Sequence, residues 1–321
     1  MANQFRIVVG IGFLMILGYS ALWFTVAFDF EKQAAINLSG LRELGINVTY
    51  DDISLGGFPY RITIEVSDLT ISDPYEGYEY TSDKTEIVTH LWTPQHYVLQ
   101  AENINASFFN EQIKIEDNYA RASLRYTEDS KIIIAADSYT TDDLKITQAP
   151  DLLRATEFNE WQIFLRLHEK PEAPISGLYE DRFMDFKIVL NGKKGDLEAI
   201  GGISGQPILS WNQKDLTIWR NAGGLLEFDA LTLSLGGAKL EGTGSFTLDD
   251  QLKLLGSIGF KTRRNLTDQH IARLNRFLKA NKINSYQATA QSLQTPVGLS
   301  FQNGQIAIGN EKLLTIGSVL D

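Results

Sequence analysis

Apolar and polar positions divide this chain into an apolar N-terminal stretch and a long alternating region. Residues 7–28 include no charged side chain. A helix of that length rises about 33 Å, enough to cross a hydrocarbon core of about 30 Å. Arg6 precedes the stretch and Asp29 follows it. This distribution of charge predicts a cytoplasmic N-terminus at residues 1–6, a transmembrane anchor at residues 7–28 and an exported remainder.

Residues 7–28 have three competing interpretations: a transmembrane anchor, a cleaved signal peptide and a buried core helix. Signal peptides have apolar regions of about 7–15 residues, so the length of this stretch favours an anchor. An uninterrupted uncharged helix at the N-terminus is atypical of a protein core. Thr25 and Ala27 nevertheless form an acceptable cleavage site, so removal of the segment after Ala27 stays open as an alternative.

The helical pattern continues beyond the apolar stretch. Ala34, Leu38 and Leu41 recur at helical spacing, and Gly45 is a natural stop at the C-terminal end. The pattern predicts a membrane-proximal helix at residues 29–45.

From residue 46 to residue 321 the apolar period changes from 3.6 to 2, which is typical of strands with one apolar and one polar face. The clearest runs cover residues 60–67, 120–127, 184–190 and 240–248. Turn signals separate such runs, for example at Asn303-Gly304. We therefore predict a mainly β periplasmic domain with a few helices, in which one long curved antiparallel sheet forms a groove or a sandwich.

Local departures from this pattern predict further features. The apolar phase slips near Ala230 and Leu231, which indicates a β-bulge or bend. Short helices are predicted at residues 150–161 and at residues 267–283, the second with Thr267 as its cap. Gly242 and Gly244 lie on an otherwise apolar face, where they either leave room for a ligand or mark curvature and close packing.

Composition limits the compartment and the partners. The chain has no cysteine, which excludes disulfides, thiolate metal sites and a cysteine nucleophile. One of the 29 basic residues precedes the apolar stretch, so the exported part carries 28 basic and 40 acidic side chains, a net charge of −12. Such a surface repels phosphate backbones, so we expect no nucleic-acid partner.

The sequence shows no signature of catalysis. The four histidines match no zinc spacing, and the segment around Ser204 lacks the spacing of a nucleophile elbow. Phosphate-binding and dinucleotide-binding fingerprints are also missing from the sequence. We therefore predict no catalytic residue, no metal site and no cofactor, and we expect a protein that is not an enzyme.

One segment departs from the acidic character of the chain. Eight basic residues and a single acidic residue lie between Lys253 and Lys282. Four of them, on one face of the predicted helix at residues 267–283, are candidates for contact with an anionic membrane: Arg273, Arg276, Lys279 and Lys282. The alternative is an ordinary surface helix that packs its apolar stripe on the sheet and leaves its charges in solvent.

Several motifs resemble those of a known family. They are Gly57-Phe58-Pro59-Tyr60-Arg61, then Leu91-Trp92-Thr93-Pro94, and a closing segment from Leu299 to Gly309. Their order behind a single N-terminal span resembles the alphaproteobacterial exported proteins grouped as domain of unknown function 2125. The C-terminal stretch is also similar, at the level of fold only, to AsmA-type β-groove proteins of Gram-negative envelopes. That second resemblance implies a membrane-anchored protein associated with lipid transport.

These observations lead to a first functional hypothesis and two alternatives. We expect an envelope protein of the bacterial inner membrane whose periplasmic domain binds or transfers lipid, with an acyl chain in an apolar groove. The same features also suit an assembly scaffold that binds envelope proteins. An envelope hydrolase is the third hypothesis, and it requires clustered carboxylates or a His–Asp pair in a cleft. The pattern indicates no particular protein partner.

Overall fold

The computed structural model describes most of the chain. The described residues are 2–43, 45–74, 77–108, 113–127, 131–138, 144–148, 157–172, 182–208, 212–235, 238–262, 267–280, 287, 289, 297–308, 311–315 and 317–319.

The chain begins with one unbroken helix, α1, Ala2–Glu43. Its segment from Val9 onward is long and apolar enough to cross a membrane, and only 11% of its most apolar window is buried. The core-helix interpretation of residues 7–28 is therefore wrong, because a core helix would be mostly buried. The C-terminal part of α1, including Ala34 and Leu38, packs against the first strands of the sheet. The predicted helix at residues 29–45 is thus a direct continuation of the apolar stretch.

Seventeen strands follow α1 along the described residues. The first nine are β1 (Asn47–Thr49), β2 (Asp52–Gly56), β3 (Ile62–Asp73), β4 (Tyr78–His90), β5 (Thr93–Phe108), β6 (Ile113–Tyr126), β7 (Lys131–Ser138), β8 (Lys145–Gln148) and β9 (Phe158–Glu172). The last eight are β10 (Arg182–Gly192), β11 (Gly195–Ser204), β12 (Leu225–Leu235), β13 (Ala238–Leu248), β14 (Leu254–Thr262), β15 (Val297–Gln302), β16 (Gln305–Ile308) and β17 (Glu311–Thr315). Two further helices are α2 (Gln213–Asn221) and α3 (Asp268–Ala280).

The strands form one curved antiparallel sheet that follows the chain almost in order. Strands β1 and β2 both pair with β3, and from β3 to β7 each strand pairs with the next. Strand β8 pairs with β6, while β9 joins β7 to β10, and the ladder then continues in order to β17. This topology confirms the predicted mainly β fold with a long curved sheet. The sheet is curved because the twist of many strands accumulates along it.

Two local predictions are confirmed, one by the strand pairing and one by a helix cap. The register shifts in β12 between Phe228 and Leu231, so the predicted bulge lies there. Thr267 caps α3, since its hydroxyl accepts a hydrogen bond from the backbone N–H of His270. The helix covers Asp268–Ala280, and residues 281–283 of the predicted 267–283 lie outside the described residues.

Two other helix assignments differ from the prediction. Trp161 lies inside strand β9, so the helix predicted at residues 150–161 is wrong at its C-terminal end, and residues 150–156 lie outside the described residues. Helix α2 was not predicted. Asn212 caps it by accepting the N–H of Asp215, and the helix buries Leu216 and Trp219 between strand ends. Because most other residues of α2 are polar, its apolar residues are too few to show a helical period in the sequence.

The apolar side chains gather in two regions of the sheet. In the first region α1 covers β1 to β3, with Ile64 and Val66 fully buried beneath it. In the second region Phe186, Phe246 and their neighbours pack against one another across β10 to β15. Between these two regions the apolar face of the sheet lines cavities.

Candidate functional site

A row of four exposed Asp and Asn residues crosses strands β3 to β6. The registers place Asp68 opposite Asp83, Asp83 opposite Asn103, and Asn103 opposite Asn118. Asp68 and Asn103 have positive φ, 49° and 51°. Asp and Asn tolerate this conformation better than other non-glycine residues, because their short polar side chains bond locally. The side chain of Asn103 does so, since its amide donates to Asp83 Oδ2 at 2.7 Å.

This polar row changes which residues face the concave side of the sheet. In β5, Leu99 and Ala101 face the same cavity as Ile104 and Ala106, so the alternation changes parity at Asn103. Strand β3 does the same at Asp68, where Ile64 and Val66 share a cluster with Leu69. Each strand therefore keeps its apolar residues on the inner face through the bend. The row was not predicted from the sequence. The pattern that indicates it is the change from odd to even, or even to odd, apolar positions within one strand.

The inner face of the bend lines two apolar cavities that share residues. The first, of about 1,020 Å³, lies between α1 and β3 to β6, and its wall begins at Val26 of the helix. The second, of about 470 Å³, is lined by side chains from β4 to β10 and by Leu144. Thr85 and Leu99 line both cavities. The two cavities are therefore adjacent on one apolar face, which we call the groove, and their volumes suit a small-molecule ligand.

Asp29, Gln33 and Asn37 of α1 line the first cavity, whereas the second cavity carries few polar groups, and its buried carboxylate has hydrogen-bond partners. Asp117 is 3% exposed, and its carboxylate accepts hydrogen bonds from Ser138, the indole of Trp161 and the N–H of Tyr119. Ser82 and Thr85 bond to each other at 2.6 Å. Because these groups already have partners, they offer a ligand little beyond apolar contact.

Aromatic side chains line the groove beside α1. Phe30 stacks on Tyr97 at 5.8 Å, and Tyr97 meets Tyr126 edge-on at 6.5 Å. Burial, with a smaller contribution from Tyr126, raises the pKa of Tyr97. A phenol is neutral at physiological pH at its ordinary pKa of about 10, and this shift moves it further from ionisation.

The first family-like motif forms the loop between β2 and β3. Gly57 has φ +95°, and a Cβ there would approach Arg61 O to 2.5 Å, so the turn requires glycine. The loop packs on α1: the indole of Trp23 donates to Arg61 O at 3.1 Å, and Phe58 stacks on Phe24 at 5.6 Å. Pro59 O accepts the hydroxyl of Tyr19.

The second motif forms the adjacent turn between β4 and β5. Trp92 stacks on His90 at 5.3 Å, and His90 Nδ1 donates to Tyr60 O at 3.1 Å. Pro94 is exposed in the second position of β5, where a missing N–H is tolerated at a strand end. The structure thus brings the residues of both motifs together on one side of α1.

Three of the four basic residues that the sequence predicts for membrane contact lie on the described part of α3. Arg273, Arg276 and Lys279 are exposed on α3, while Lys282 lies outside the described residues. Helix α3 lies against β13. It follows Thr262, at the strand end opposite to the one that carries the 57–61 loop. The structure therefore separates these cations from the motif residues along the strands.

A polar cluster on the outer face escaped the sequence analysis. His168 Nε2 and Asp185 Oδ2 lie 3.0 Å apart, and Arg182 contacts Asp229 at 2.8 Å and Glu227 at 3.3 Å. The hydrogen bonds that Arg182 donates to Asp229 and Glu227 hold the pKa of Arg182 above its usual range. The cluster joins β9, β10 and β12, which are close only in the folded sheet. Neither His168 nor Asp185 lines the groove.

The part of the chain that the structure describes holds no group of three or more His, Cys, Asp or Glu residues suited to a metal ion.

Fold and groove together define a β-sheet protein with an apolar N-terminal helix and an apolar groove beside that helix. The chain belongs to the family described as uncharacterized protein conserved in bacteria, DUF2125, whose model matches residues 23–316. The match includes both motifs and confirms the family resemblance found in the sequence. No curated protein and no solved structure matches the chain. The similarity to AsmA-type proteins stays a prediction.

Proposed function

We propose that this protein is a membrane-tethered periplasmic module of the bacterial inner membrane that binds an acyl-chain lipid in its groove and hands it on. The observation that carries the proposal is the continuity of the groove with α1. Val26, within the uncharged stretch, lines the first cavity, which adjoins the second at Thr85 and Leu99. Lipid hydrocarbon beside the helix therefore has an apolar path into the sheet.

The chemistry of the wall favours an acyl chain over other ligands. Alanine and aliphatic side chains dominate the second cavity, and its carboxylate, Asp117, has three hydrogen-bond donors of its own. Burial of each methylene group contributes about 0.8 kcal/mol without the need for a polar partner. A polar ligand would leave its own groups unpaired there.

Packing of the helix supports an anchor over a cleaved signal peptide. Trp23 is 2% exposed and Ala27 is 0% exposed, and both pack against Ile62 of β3. Cleavage after Ala27 would remove the indole that binds Arg61 O and would open this cluster. A segment that contributes to the core in this way is expected to remain in the mature protein.

A matched pair of substitutions tests the proposal. Ala136 lines the second cavity, whereas its neighbour Ala135 faces the other side of β7. We expect acyl lipid to accompany the wild-type chain through purification in mild detergent, as detected by mass spectrometry. A phenyl ring that displaces about three methylene groups costs about 2.4 kcal/mol, so Ala136→Phe should weaken binding roughly fiftyfold.

Ala135→Phe is the control and should retain lipid, because the new ring points away from the groove. Absence of acyl lipid from the wild-type protein, or equal lipid in both variants, would contradict the proposal. A stoichiometric protein crosslinked in cells in place of lipid would favour the scaffold alternative. The hydrolase alternative gains a His–Asp pair from the structure, but that pair lies outside the groove.

A further inference from the structure

The 57–61 loop lies against a part of α1 that the apolar pattern places inside the bilayer. It contacts Tyr19 and Trp23, which precede Phe28, the last residue of the uncharged stretch. At 1.5 Å per residue these contacts lie about 14 Å and about 8 Å below the end of that stretch. With residues 7–28 across the membrane, the loop reaches the depth of the outer leaflet.

The side chains at this place suit a lipid environment. Outside α1, the three most exposed large apolar side chains of the described residues are Tyr60 at 75%, Trp92 at 63% and Phe58 at 49%. All three belong to the two neighbouring turns. Tryptophan and tyrosine are enriched where proteins meet the membrane–water interface, since their rings combine an apolar body with a polar group. Exposure of three aromatic side chains to water in one patch is energetically unfavourable, and burial of the patch in a bilayer removes that exposure.

Most backbone carbonyls of the 57–61 loop have hydrogen-bond partners within the protein, as a hydrocarbon environment requires. The carbonyl of Gly57 accepts the N–H of Arg61, and the carbonyl of Arg61 accepts the indole of Trp23. Tyr19 donates to the carbonyl of Pro59, and His90 donates to the carbonyl of Tyr60. Proline has no N–H to satisfy. Irregular backbone enters hydrocarbon only when its polar groups have partners within the protein, and four of the five carbonyls of this loop have such partners.

We propose that Phe58, Tyr60 and Trp92, which we call the aromatic tip, insert into the outer leaflet of the bilayer beside α1. The inference rests on the membrane anchoring in the proposed function and is independent of lipid in the groove. Insertion holds the sheet at a defined height and orientation. Because the groove wall begins at Val26, its opening then lies at the membrane surface.

The absence of cysteine from the sequence allows a direct test on the full chain. Tyr60→Cys and Trp92→Cys each give a single site for an environment-sensitive fluorophore. The labelled chains are reconstituted into vesicles of phosphatidylcholine and phosphatidylglycerol. Phe164→Cys is the matched control, since Phe164 is an aromatic residue 42% exposed on the outer face of β9. Addition of phospholipids brominated on their acyl chains then reports contact with hydrocarbon.

We expect blue-shifted emission and loss of fluorescence in brominated vesicles at positions 60 and 92, and neither effect at position 164. Emission at 60 and 92 that resembles position 164, in protein that floats with the vesicles, overturns the aromatic tip and leaves the anchor standing. A blue shift without quenching by brominated lipid also overturns it, since protein then covers the tip. Protein that fails to float overturns both the tip and the anchor, whereas lipid in the groove is decided separately by Ala136→Phe.

Discussion

Strands β1–β9 form the first region of the sheet and strands β10–β17 form the second. The two regions differ in what covers their apolar face. In the second region four phenylalanines meet edge to face in a chain, with ring centroids 5.7 Å apart for Phe186 and Phe228 and 4.9 Å apart for Phe246 and Phe301. In the first region α1 covers part of the face and the rest lines a groove. A curved sheet must cover its apolar face. In the second region the side chains of the sheet cover that face by packing against one another, whereas in the first region part of the face stays open.

The difference arises from two kinds of residue. In the first region the polar row, in which Asp68 and Asn103 have positive φ, changes which residues face the groove. Glycines bring the strands of the second region together: a Cβ at Gly244 would lie 2.5 Å from Ser257 O. The two regions therefore predict different responses to substitution.

The largest effect is expected from removal of a ring in the second region. Phe246 is 4% exposed, and Phe246→Ala should lower the free energy of unfolding by about 3–5 kcal/mol because it leaves a cavity. Leu99→Ala in the groove wall should cost under about 1.5 kcal/mol, since part of its side chain already faces open space. Urea unfolding in detergent micelles measures both. Equal losses would mean that the groove is packed as tightly as the aromatic core.

Two glycines on adjacent strands give a sharper comparison. Gly244→Ala should destabilise the fold by about 1–3 kcal/mol, because its new methyl group meets backbone. Gly259→Ala should change stability by less than about 0.5 kcal/mol, because nothing lies within 4 Å of its added Cβ. The same unfolding assay decides. A neutral Gly244→Ala would indicate room for a ligand at this site, as the sequence left open.

Substitution in the polar row tests the bend of the first region. Asn103→Val should cost about 1–2 kcal/mol, since a β-branched residue opposes a φ of +51° and the bond to Asp83 is lost. Asn103→Gly accepts the same backbone and should lose less. We also expect Asn103→Val to lower the amount of bound lipid by mass spectrometry. Unchanged stability and unchanged lipid would show that the row does not shape the groove.

The smallest effect is expected at α3. A fluorophore at Ala272→Cys, on the exposed surface of α3, should respond only weakly to phosphatidylglycerol in reconstituted vesicles at low salt, because α3 lies at the strand end opposite to the aromatic tip. The response should decrease in the double variant Arg273→Glu/Arg276→Glu and at high salt. Neutral vesicles serve as the control. If the charge reversal leaves the response unchanged, α3 is an ordinary surface helix.

Much of the architecture could be read from local pattern. The uncharged stretch before Asp29, the alternating runs and the bulge near Ala230 all depend on residues close in sequence. The motif at Gly57 was visible in the same way, although not its contact with Trp23. Helix α2 escaped because its burial rests on Leu216 and Trp219, two side chains in an otherwise polar segment.

By itself the sequence determined an apolar helix long enough to span a bilayer, an alternating chain that must form sheet, and membership of one family. Only the tertiary structure decided that the polar row at Asn103 crosses four strands and that the inner face opens into a groove. It also decided that Gly244 serves close packing and that Trp23 binds the 57–61 loop. These features depend on strand register and on contacts between residues far apart in the chain, which local periodicity does not encode.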